Sequence, residues 1–167
     1  HIVNIAIEPM KYDMQELRYG GIRTLFYYGG LDFELEPINP YVLPLLQKIV
    51  PILKAGSLIK IFVRHKVVYA YEPDPGYEVP IHSIEGTIDR GFWEITFHLS
   101  EGSDIGEYSV FMGVYVGNQR IYAPIEDDIW GFSKAVESLL KAINGFDYSI
   151  LEKVEEEEAE KQTQQTT

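Results

Sequence analysis

Apolar and polar residues alternate along most of this chain, which predicts strands, and only two stretches switch to helical spacing. Ile2, Val3, Ile5 and Ile7 predict a short first strand that Glu8-Pro9 ends, because proline restricts its predecessor and donates no hydrogen bond. Lys11 to Arg18 reads as a polar connector. Arg23 to Tyr28, the pair Gly29-Gly30 and Leu31 to Leu35 then predict a β-hairpin, since paired glycines supply the positive φ of a tight turn.

Asn39-Pro40 is a helix-start signal and Gly56 a stop. Between them the residues are apolar almost all round, so this helix, Asn39 to Ala55, is either central to the core or half of an interface, and Pro44 and Pro51 can split it into two pieces. Leu58 to Tyr71 is β-rich, and Arg64-His65-Lys66 either continues one long strand or turns a hairpin. Glu72-Pro73-Asp74-Pro75-Gly76 is a stiff loop.

Ile84 to Asp89 and Trp93 to Leu99 predict a strand pair about Arg90-Gly91, and Tyr108 to Val116 pairs with Gln119 to Ala123 across Gly117-Asn118. In the strand from Tyr108, one face carries Tyr108, Val110, Met112, Val114 and Val116. The other carries Ser109, Phe111, Gly113 and Tyr115, too apolar for a solvated face. Ile129, Phe132, Val136, Leu139, Leu140 and Ile143 recur at helical spacing, predicting a helix from an Asp127 or Asp128 cap to Asn144-Gly145. A short segment, Phe146 to Val154, packs after it.

These elements predict an α+β domain: a curved, mainly antiparallel sheet of about six to eight strands with two principal packed helices. It spans residues 1–154, and the glutamate run and polar residues of 155–167 predict a solvated acidic tail. Length and composition agree, since 167 residues with 46% hydrophobic content suffice for one core without staples.

Charge and chemistry narrow the function. A net charge of −12 repels phosphate backbones, leaving Lys60, Arg64 and Lys66, with Phe62, Tyr69 and Tyr71 nearby, as the candidates for stacking and binding single-stranded nucleic acid. The sequence contains no cysteine, which excludes disulfides, thiolate catalysis and cysteine-ligated zinc and fits a reducing cytoplasm. No apolar run approaches a membrane span, and His1-Ile2-Val3-Asn4 carries no signal-peptide pattern.

The four histidines, His1, His65, His82 and His98, fall in no metal-ligand spacing. Glu126-Asp127-Asp128 fits helix capping better than Mg²⁺ binding, because carboxylates complement the helix dipole. There is no serine elbow, P-loop or dinucleotide fingerprint. The expectation is no cofactor, no metal and no catalytic residue.

The chain has twelve tyrosines. Tyrosine gives large amphipathic contact area at low entropy cost, which favours recognition. Tyr108 and Tyr41 fit the core, whereas Tyr27, Tyr28, Tyr69, Tyr71, Phe111 and Tyr115 are the interface candidates. The apolar surface left over predicts a homodimer that also binds other protein subunits, with no membrane contact.

Few Asn and Gln residues outside the tail, no Cys and many Ile, Glu and Tyr residues resemble the composition of thermophile proteins. In size and composition the chain resembles small accessory subunits of thermophilic archaeal complexes, such as the dimeric accessory subunit of type III-B CRISPR RNA-targeting complexes. That resemblance implies a non-catalytic interaction subunit at the periphery of an antiviral ribonucleoprotein, touching nucleic acid only indirectly. Two other readings stand beside it. One is a small enzyme or ligand-binding protein with Glu94, His98 or Glu126 to Asp128 lining a pocket, and the other is a single-strand nucleic-acid binding module.

Overall fold

A computed structural model of the chain describes the backbone of residues 13–19, 22–29, 41–71, 78–102, 104 and 106–166, with side chains at 16, 22–25, 41–63, 83–102, 104 and 106–164. The expected first strand, the Leu31 to Leu35 strand, the Asn39-Pro40 helix start and the Glu72 to Gly76 loop lie outside the described residues.

The expected α+β class holds, with a mainly antiparallel sheet. Its strands are β1 (Asp13–Tyr19), β2 (Ile22–Gly29), β3 (Leu58–Tyr71), β4 (Glu78–Asp89), β5 (Trp93–Glu101), β6 (Glu107–Val116), β7 (Gln119–Tyr122) and β8 (Ile125–Trp130). The strands lie in chain order from β1 to β7, and β8 also pairs with β6. Because β7 takes one half of β6 and β8 the other, the two act as one outer strand interrupted at Ala123-Pro124. Proline is tolerated there because an edge strand has no second neighbour to satisfy.

The first hairpin differs from its sequence prediction. Most of the expected connector is β1, which pairs antiparallel with β2 from Asp13↔Tyr28 to Tyr19↔Ile22. β2 and β3 then pair in parallel, the one departure from antiparallel order among the described strands, and a parallel pair requires a crossover. That crossover contains α1 (Val42–Ile49) and a 3₁₀ turn (Val50–Ile52). Pro51 at the start of the 3₁₀ turn divides the predicted helix in two, because it cannot donate the next helical hydrogen bond.

β3 is one strand: Arg64-His65-Lys66 continue it, and β4 pairs with it from Lys60↔Asp89 to Tyr71↔Glu78. The predicted pairs about Arg90-Gly91 and Gly117-Asn118 form as β4–β5 and β6–β7.

Side-chain alternation places the core on one sheet face. Ile59, Ile61 and Val63 of β3, Trp93, Ile95, Phe97 and Leu99 of β5, and Val110, Met112 and Val114 of β6 are buried there. Val42, Leu45, Leu46 and Ile49 of α1 pack with Leu139 and Ile143 in the same cluster. Phe97 needs Gly86 opposite it: a Cβ at Gly86 would lie 1.9 Å from the ring's Cζ. That glycine is set by close approach.

Two helices complete this layer. The first, α2 (Phe132–Asn144), buries Ala135, Leu139, Ala142 and Ile143, and two tyrosine hydroxyls close its C-terminus. Tyr122 Oη donates to the Ala142 carbonyl and Tyr148 Oη to that of Ile143, each at 2.7 Å. The second, α3 (Ser149–Thr166), replaces most of the expected tail. Leu151 is buried, and Glu155 is accessible to only 9%. Arg90, in the β4–β5 turn, holds Glu155 by a bidentate pair of 2.7 and 2.8 Å and also donates to the Leu58 carbonyl at 3.0 Å. The glutamate run is therefore anchored at its first member.

Candidate functional site

The acidic run Glu126-Asp127-Asp128 does not cap α2. It lies within β8, and the residue at the helix N-cap is Gly131, with no side-chain cap. Between the pairs Tyr108↔Ile129 and Val110↔Glu126, β6 has one residue and β8 has two, which makes a bulge. Asp128 sits in it with φ +57°, a conformation that Asp tolerates better than most side chains.

Each carboxylate of the run has a different contact. Glu126 accepts from the Ser138 hydroxyl of α2 at 2.9 Å, and Asp127 accepts from the Ser109 hydroxyl of β6 at 2.7 Å. Asp128 hydrogen-bonds to Glu107. That bond, with a smaller desolvation contribution and repulsion from Asp128 and Asp104, raises the Glu107 pKa above the usual carboxylate value. Among the described residues no group of three or more His, Asp or Glu side chains has the arrangement to hold a metal ion.

Around this run lie three of the four large hydrophobic side chains that are exposed among the described residues. Ile125 is 67% accessible, Trp130 56% and Phe132 47%; the fourth such side chain, Ile150, is on α3. Phe132, expected in the core, instead touches Tyr108 edge-on with ring centroids 5.8 Å apart. Trp130, Ile129, Glu126 and Asp128 form one wall of a groove of about 650 Å³, and Lys134, Glu137, Ser138 and Lys141 of α2 form the other. Such apolar exposure beside a concave surface is the usual mark of an interaction site.

The residues singled out in the sequence are distributed differently. Phe111 and Tyr115 are half-buried on the sheet face opposite the core, and both bend over Gly113: a Cβ there would lie 2.9 Å from the Tyr115 hydroxyl and 3.0 Å from Phe111. Register aligns position 27 with Phe62, Thr87, Thr96 and Gly113. Tyr28 is in register with the buried Val63. Tyr69 and Tyr71 pair with Pro80 and Glu78 near the far end of β3. The side chains of Tyr27, Tyr28, Tyr69 and Tyr71 lie outside the described residues.

Lys60, Arg64 and Lys66 do recur along one face of β3, but Lys60 is paired in register with Asp89, Arg64 with Glu85 and Lys66 with Ser83. Glu94 and His98 lie on the same sheet face, with His98 Nε2 3.8 Å from Glu85 Oε1. Glu126 is bonded to α2 instead, so the carboxylate and histidine candidates are not assembled into one pocket.

Sequence reasoning missed Ile125, Trp130, Lys134 and Lys141. The available signal was Gly131, which separates Trp130 from the helical period and marks where strand gives way to helix. Among the described residues, no helix is long and apolar enough to cross a membrane. Compared with protein-family models, curated proteins and solved structures, the chain shows no match.

Proposed function

We propose that this protein is a non-catalytic interaction subunit of a larger assembly and that its principal contact surface is the β8–α2 edge. The observation that carries the reading is the concentration of Ile125, Trp130 and Phe132 in one short stretch beside a groove. Exposed tryptophan is favoured at contact surfaces because it buries large area and offers an indole N–H at its rim. The resemblance to small accessory subunits agrees with this role and adds a ribonucleoprotein setting to it.

Affinity purification of the tagged full chain from its native host tests the reading. The expected result is stable recovery of a defined set of other subunits, lost in Trp130→Ala without a change in melting temperature, since the side chain is largely exposed. Recovery of the chain alone, or of the same set with Trp130→Ala, contradicts the proposal.

A further inference from the structure

We propose that a second copy of this chain occupies the β8–α2 groove, related to the first by a two-fold axis. The inference rests on reading this edge as a contact surface and names one occupant of it.

Charge is distributed unequally between the groove walls. The strand wall carries Glu126 and Asp128, and the helix wall carries Lys134 and Lys141 with Glu137 between them. None of these five residues makes a described salt bridge with another protein group. A two-fold operation brings each surface against its own equivalent, so any contact between two different walls occurs twice. The acidic wall of each copy then meets the basic wall of the other. Trp130 supplies the apolar part of the contact, with Phe132 next to the helix wall.

The same residues argue against the simpler dimer in which two β8 edges extend one continuous sheet. Antiparallel pairing of β8 with itself would set Glu126-Asp127-Asp128 against the same acidic run, and like charges opposite one another destabilise a strand pair. The bulge at Asp127-Asp128 disrupts the edge further. Contact through the groove avoids both problems.

Sedimentation equilibrium of the full chain tests this with two charge-reversed variants, Lys134→Glu/Lys141→Glu and Glu126→Lys/Asp128→Lys. Wild type is expected at twice its 19.2 kDa mass at micromolar concentration. Each variant alone should associate at least roughly tenfold more weakly, because its two walls then carry the same sign. An equimolar mixture should recover the dimer, since each variant now presents the charge the other lacks. That recovery also shows that both variants fold.

A monomeric wild type, a wild-type dimer unaffected by either reversal, or folded variants whose mixture stays monomeric would each overturn the inference. The broader reading fails separately. A monomer that still recovers other subunits through Trp130 rejects only the second copy, whereas a monomer whose recovery of other subunits is unchanged in Trp130→Ala rejects this edge as a contact surface altogether.

Discussion

At Glu107 the fold brings carboxylates together: Asp128 shares a hydrogen bond with it, and Asp104 adds repulsion. The resulting pKa is raised, so the folded protein binds this proton more tightly than the unfolded chain does. The associated stability is therefore present at low pH and is lost as pH rises through the raised value. Glu107→Gln should raise the melting temperature at neutral pH, and the difference should vanish once the solution is acidic enough to protonate Glu107 in both states. A gain that persists in acid would locate the effect elsewhere. Thr24 presents a different problem, since its buried hydroxyl has no hydrogen-bond partner. Thr24→Val keeps the β-branched shape and removes the unpaired group, so urea unfolding should show a gain of about 1 kcal/mol. An equal or lower midpoint would show that the hydroxyl is satisfied in solution.

At the scale of elements, the attachment of α3 depends on groups remote in sequence. Arg90 Nε and Nη2 both reach Glu155, whose side chain is 9% accessible, and the Arg90 guanidinium also lies 5.3 Å from the Phe92 ring centre. Arg90→Ala leaves a largely buried carboxylate unpaired, so it should cost roughly 3 kcal/mol and strip hydrogen-exchange protection from α3. A loss below about 0.5 kcal/mol would make this an ordinary surface pair. The same distance explains why the sequence shows a solvated tail but not its anchored helix: Glu, Ala, Lys and Gln are good helix formers, but nothing near Glu155 in the sequence identifies Arg90 as its partner. The β4–β5 and β6–β7 hairpins were legible because alternation and turn glycines are local signals. β1 was not, since Asp13, Gln15, Glu16 and Arg18 obscure its alternation and only pairing with β2 defines it. The end of β8 reads as the start of α2 because Ile129 and Phe132 continue the spacing of Val136 and Leu139 backwards to the Asp127-Asp128 cap signal. The competing signal, Gly131, separates a strand from a helix in a single residue.

On the scale of the whole molecule, the core and the helix-bearing layer were legible, but the exposed apolar edge at β8 and α2 was not. Aromatic content directs attention to Tyr27, Tyr28, Tyr69, Tyr71, Phe111 and Tyr115, yet residue type cannot say which rings reach over a glycine, as Phe111 and Tyr115 do at Gly113. The same limit applies to charge. Lys60, Arg64 and Lys66 formed a basic stripe in the sequence, whereas the register sets Lys60 and Arg64 opposite Asp89 and Glu85. A chain of net charge −12, with two of these three basic positions in register with acidic ones, disfavours attraction to a phosphate backbone. Fluorescence anisotropy with a labelled single-stranded oligonucleotide should therefore show no binding at low salt, where electrostatic attraction is strongest. Binding that weakens with salt and disappears in Lys60→Ala/Arg64→Ala/Lys66→Ala would instead make the sheet face opposite the core the principal surface, and the β8–α2 edge secondary to it.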